Sequence, residues 1–104
     1  MSRPRQKYLI CYDISQSARR LARVRRRLIE SATPIQFSVF WAVLTQAERD
    51  GLIRRLAGII KAENDDIRLY PLPENPVIRM LGRPVLPEGV IAPLLRPDEP
   101  KDAD

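Results

Sequence analysis

The chain has 104 residues, 18 Lys/Arg against 13 Asp/Glu, one cysteine and no histidine. That length and a mixed apolar and charged content suit one globular domain. They exclude an internal disulfide, a histidine base or ligand, ordinary zinc sites and a membrane-spanning run.

The net charge of +5 is unevenly spread. Residues 1–31 carry nine Lys/Arg against only Asp13 and Glu30, and the remainder is slightly acidic. A basic footprint confined to one region points to a polyanion partner. The basic start "MSRPRQK" is followed by no signal-peptide cleavage pattern, and Cys11 sits in an apolar run as a small hydrophobe. Cytoplasmic residence is the expectation.

Residues 7–14 predict a central strand. Alternation puts Leu9, Cys11 and Asp13 on one face and Tyr8, Ile10 and Tyr12 on the other. Residues 17–31 predict an amphipathic helix capped by Ser15 or Ser17. Ala18, Leu21, Val24 and Leu28 form its apolar stripe. Arg19, Arg20, Arg23, Arg26 and Arg27 fall on the opposite side, and Arg25 lies at the edge of the stripe.

Residues 34–44, "PIQFSVFWAVL", predict a hairpin or bent strand pair turning near Phe37-Ser38. Thr45-Gln46-Ala47-Glu48 matches a capping box and opens a second helix expected to reach residue 62. Asn64-Asp65-Asp66 reads as a turn, and 67–72 as another strand. Eight of the ten prolines lie between Pro71 and Pro100. "VIRML" at 77–81 is a further short strand candidate. The domain is expected to cover residues 1–82, followed by a proline-rich, partly disordered tail at 83–104.

Strand–helix–strand–strand–helix–strand is the order of the ferredoxin-like α+β fold, βαββαβ, with an antiparallel sheet and both helices on one face. The other face carries apolar residues with nothing in this chain expected to cover them. Homodimerisation through that face is the expectation.

Asp13 lies at the carboxyl end of its strand, where sites gather in α/β sheets. It suits a Mg²⁺ ligand, since Mg²⁺ takes one or two carboxylates with waters and substrate phosphate. Residue type alone favours the other reading, an Asx-turn leading into the helix. The five arginines suit sequence-tolerant, salt-sensitive phosphate contacts. Acidic partners at i±4 are nearly absent, which favours a polyanion surface over a merely solvated face. Phe37, Phe40 and Trp41 read as core or interface residues rather than base-stacking platforms. Asp65 and Asp66 read as turn residues rather than a second metal pair.

"YDIS" at 12–15, the arginine-rich helix, "IQFSVF" at 35–40, "LT..E" at 44–48 and "DDIRLYPL" at 65–72 together resemble the small CRISPR-associated endoribonuclease family. That family is the small subunit of the spacer-acquisition complex. The resemblance implies a ferredoxin-like homodimer with an extra C-terminal strand added to the neighbouring protomer. It implies Asp13 as a catalytic, Mg²⁺-binding residue between protomers, with metal-dependent cleavage of RNA or DNA in some members. It also implies a bridging role, holding a duplex DNA prespacer beside a larger CRISPR integrase subunit. Two positions depart from the family pattern: Ser31-Ala32-Thr33-Pro34 replaces a Gly-x-Arg-like turn, and Trp41 replaces an acidic residue. A purely structural nucleic-acid-binding adaptor and a toxin-like ribonuclease are the alternative functions.

Overall fold

The computed structural model describes residues 3–77, 79 and 81. Four strands and two helices occur in the order β1 (Arg5–Asp13), α1 (Ala18–Ser31), β2 (Thr33–Gln36), β3 (Val39–Thr45), α2 (Gln46–Ala57) and β4 (Asp66–Pro71). The sheet runs β2-β3-β1-β4, with every neighbouring pair antiparallel. This is the expected ferredoxin-like α+β arrangement, with β1 and β3 in the centre. Pro34 and Pro71 lie on the two edge strands, where a missing backbone donor is tolerated.

The alternation read in β1 holds. Tyr8, Ile10 and Tyr12 face the helices and join Phe40, Ala42 and Leu44 of β3. Val24 and Leu28 of α1 and Leu52 and Leu56 of α2 close this core. Burial of each large apolar side chain stabilises by roughly 1.5–3 kcal/mol. Tyr12 and Phe40 meet with ring centroids 6.1 Å apart, and the Arg25 guanidinium lies 5.6 Å from the Phe40 ring centroid.

Ser17 caps α1, its hydroxyl accepting from Arg20 N–H at 3.0 Å. The helix stops at Ser31 because Thr33 precedes Pro34, and a residue before proline is pushed out of the helical region. Ala18 and Leu21 do not join the core. Both are exposed, Leu21 by 39%. The first turn of α1 is instead held by a polar contact, Arg20 to Asp65.

The hairpin turns at Phe37-Ser38 without glycine or asparagine. It is tied from outside: Tyr12 donates through its backbone N–H to Ser38 O at 3.1 Å and through its hydroxyl to Phe37 O at 2.8 Å. A register shift between Pro34 and Gln36 absorbs the proline.

The capping box is present, with Thr45 Oγ1 accepting from Glu48 N–H at 3.1 Å and Glu48 Oε1 from Thr45 N–H at 2.8 Å. Helix α2 ends at Ala57, five residues before the expected end. Gly58 caps it, and Asp65 Oδ2 accepts the Lys61 N–H at 2.9 Å, drawing the chain out of the helix. Ile59 and Ile60 still pack against the core from this loop.

The sheet face away from the helices is only half bare. Lys7, on that face with Leu9 and Cys11, donates from Nζ to Glu74 O at 2.7 Å, and Leu72 N–H donates to Lys7 O at 2.8 Å. The segment after β4 therefore leans back over one end of this face, and Pro76 is buried. Trp41, also on this face, is buried, and its Nε1 has no acceptor among the described residues. The strand expected at 77–81 falls in part, and the tail at 83–104 wholly, outside the described residues. No helix among the described residues is long and apolar enough to cross a membrane.

Candidate nucleic-acid interface and metal site

Asp13 is exposed at the last position of β1. Its cross-strand partner in β4 is Asp66. Two carboxylates directly opposite on one sheet face repel each other. Arg68, two residues further along β4, relieves part of this by pairing with Asp66 at 2.9 Å. Among the described residues no group of three or more His, Cys, Asp or Glu is placed to hold a metal. Asp13, with Asp66 across from it, nevertheless supplies hard oxygen donors that suit Mg²⁺, a cation that keeps most of its waters.

The loop that follows Asp13 is built around Asp65. This carboxylate is fully buried as a side chain. It accepts from Ser15 N–H at 3.0 Å, Lys61 N–H at 2.9 Å and Arg20 Nε at 2.8 Å. Arg20 also donates from Nη2 to Ser15 O at 2.8 Å. The Arg20 guanidinium, with help from the two backbone N–H groups, holds the Asp65 carboxyl well below the usual carboxylate range. Gln16 sits inside this loop with φ of 60°, an uncommon conformation for a side chain of its kind. The lock fixes the path of the chain from the metal-site candidate into α1.

The five arginines therefore divide. Arg19, Arg23 and Arg26 are exposed and make no ion pair among the described residues. Arg27 is half-buried and pairs with Glu30 at 2.9 Å. Arg20 is engaged by Asp65, and its side chain is only 16% exposed. The helical wheel cannot separate Arg20 from its neighbours, because its partner lies in the loop after α2. Asp65 carried a signal of a kind: an aspartate just after a helix and just before a strand, where backbone donors need acceptors.

The aromatic residues also divide. Phe40 is core, and Trp41 is buried on the other sheet face. Phe37 is 85% exposed at the hairpin tip, outside any core of this chain. The Tyr12 hydrogen bonds place that tip beside the end of β1 that carries Asp13.

The family model of CRISPR-associated protein Cas2 matches residues 6–80. This chain belongs to the Cas2 family. It is 41% identical over 83 residues to "CRISPR-associated endoribonuclease Cas2 1" of Nitrosomonas europaea, covering 80% of this chain and 78% of that protein. It is 40% identical over 84 residues to "CRISPR-associated endoribonuclease Cas2 2" of Thermodesulfovibrio yellowstonii, covering 80% and 91%. Among solved structures, a Cas2 crystal structure superposes with a TM-score of 0.72 at 30% identity, covering 80% of this chain and 93% of that one. The resemblance carried by "YDIS" and "DDIRLYPL" thus identified the family correctly. The two motifs meet in the Asp13–Asp66 pairing and in the Ser15 N–H hydrogen bond to Asp65.

Proposed function

We propose that this Cas2-family chain is a homodimeric CRISPR adaptation subunit, acting in the cytoplasm. It holds duplex DNA for the larger integrase subunit through α1. The carrying observation is the row of exposed arginines on α1, Arg19, Arg23 and Arg26, with no carboxylate partner among the described residues. Guanidinium groups so placed bind phosphates without reading bases. The half-buried apolar face of Leu9, Cys11, Val39 and Val43 supports pairing of two sheets. Such pairing brings the Asp13 carboxylates of the two protomers to one face.

We further propose metal-dependent phosphodiester cleavage, as the names of the curated relatives suggest for those proteins. Asp13 would hold Mg²⁺, with Asp66 beside it. When bound, the metal supplies Lewis-acid polarisation of a phosphate oxygen. The protein's own part is to fix, through the Arg20–Asp65 lock, the chain that leads from Asp13 into α1 and to orient the nucleic-acid backbone with the exposed α1 arginines. Incubation of the purified protein with Mg²⁺ and RNA or duplex DNA, beside Asp13→Ala, tests this. Cleavage lost in the variant is the expected result, and equal cleavage in both removes Asp13 from the mechanism.

A second reading is an adaptor that binds without cutting. The thin donor set at Asp13 favours it. It predicts normal spacer acquisition by Asp13→Ala and loss of acquisition when the exposed Arg19, Arg23 and Arg26 are neutralised together.

A further inference from the structure

The C-terminal halves of α1 and α2 enclose an open cleft of about 340 Å³. Arg23, Arg26 and Arg27 line it from α1, and Arg54 and Arg55 from α2. Its one carboxylate among the described residues, Glu30, is already engaged by Arg27 at 2.9 Å. Arg54 and Arg55 are exposed and make no ion pair among the described residues.

Both heads fold back along α2 toward Gly51. A Cβ placed on Gly51 would meet Arg55 Nη1 at 3.7 Å and Arg54 Nη2 at 3.8 Å. Like charges on one turn of a helix favour an anion beside them. The negative end of the α2 dipole accounts for basic residues in its last turn. It does not account for three more arginines facing them from α1. Arg27 Nε adds a buried donor with no acceptor among the described residues.

Among the described residues the lining contains no aromatic ring to stack a base, and its guanidinium groups suit phosphate. The charge also extends beyond the cleft, along α1 to Arg19. From Arg19 to Arg27 the helix advances about 12 Å, more than about three times the axial rise per charge of one duplex strand. A closed cup for a small anion has no use for that extension.

We propose that this cleft seats the sugar–phosphate backbone of one nucleic-acid strand, with Arg54 and Arg55 of α2 as a second row of phosphate ligands facing α1. The proposal rests on the reading of α1 as a nucleic-acid surface and extends it to α2.

The test is duplex DNA binding by fluorescence anisotropy across a salt series, for the full chain and for Arg54→Ala/Arg55→Ala. The slope of log affinity against log salt is expected to become shallower by about 2, one for each lost phosphate ligand, with Tm unchanged. The charge-matched pair Arg5→Ala/Lys61→Ala, outside the cleft, is expected to leave the slope close to that of the parent. An unchanged slope in the α2 variant overturns the proposal. If Arg19→Ala still weakens binding in that case, the α1 reading survives alone, and if no variant changes binding, both fall. Binding of a nucleoside triphosphate that is abolished by Arg54→Ala/Arg55→Ala, while the duplex slope stays unchanged, reassigns the cleft to a free phosphate ligand and overturns the backbone proposal.

Discussion

The Arg20 guanidinium donates through Nε to Asp65 Oδ2 at 2.8 Å and through Nη2 to Ser15 O at 2.8 Å, tying the start of α1 to the loop after α2. One side chain thus joins two segments 45 residues apart and closes the turn that begins at Asp13. A buried carboxylate left without its cation is strongly destabilising. Arg20→Ala is therefore expected to lower Tm by at least several degrees while leaving the salt slope of DNA binding unchanged. Arg23→Ala should do the reverse, with an unchanged Tm and a slope shallower by about 1. Thermal melts and salt titrations on the two variants check this. A reduced slope with an unchanged Tm for Arg20→Ala would return that residue to the phosphate surface.

The same contact sets an acid limit. The Arg20 hydrogen bond holds the Asp65 carboxyl below its usual range, so its folded-state pKa is depressed relative to the unfolded chain. For a depressed carboxylate the stabilisation is fully present above the unfolded pKa, about 3.9 for Asp. It is lost as pH falls through the folded value. Urea midpoints measured from pH 7 down to pH 2 should separate the parent chain from Asp65→Asn by a constant gap above about pH 5. That gap should narrow as the pH drops below about 4.

Asp13 and Asp66 face each other across β1 and β4. Relief of that repulsion makes Asp13→Asn neutral or stabilising in EDTA, by roughly 0.2–1 kcal/mol. With Mg²⁺ the order should invert. At ten times its Kd, a bound ion stabilises the parent by about 1.4 kcal/mol, and the variant should gain little. Melts with and without Mg²⁺ read this directly, independent of any cleavage. Equal Mg²⁺ shifts in both proteins would place the ion elsewhere.

The sequence patterns that proved reliable are short-range. Tyr8, Ile10 and Tyr12 alternate with Leu9 and Cys11, and that period alone identifies which face of β1 meets the helices. Thr45 and Glu48 are three residues apart, and their reciprocal hydrogen bonds follow from that spacing. What escaped is long-range. Ile59 and Ile60 keep a helical period beyond Ala57, but Asp65 captures the Lys61 N–H and ends the helix early. Arg20 shares a helical side with four other arginines, and only the folded position of Asp65 separates it from them. Arg54 and Arg55 stand in a segment of ordinary charge density. Their significance arises only when α2 is laid beside α1. The family resemblance pointed to Asp13, but Asp66 opposite it is a matter of strand register.

Tyr12 offers a test of how the glycine-free hairpin is held. Its hydroxyl donates to Phe37 O at 2.8 Å, and its backbone N–H donates to Ser38 O at 3.1 Å. Tyr12→Phe keeps the ring against Phe40 and removes only the hydroxyl contact. Phe37 O sits at an exposed turn where water replaces the lost donor, so the expected cost is about 0.5–1.5 kcal/mol, that of one net hydrogen bond. The loosening should be local. Amide exchange is expected to speed up at Ser38 and Val39 while the core amides of Ile10 and Ala42 change only by the global stability loss. Phe37→Ala, by contrast, removes an exposed ring and should leave stability within about 0.5 kcal/mol. If Tyr12→Phe left exchange at the turn untouched, the hairpin would be held by its strand pairing alone, and the position of Phe37 beside Asp13 would not depend on Tyr12.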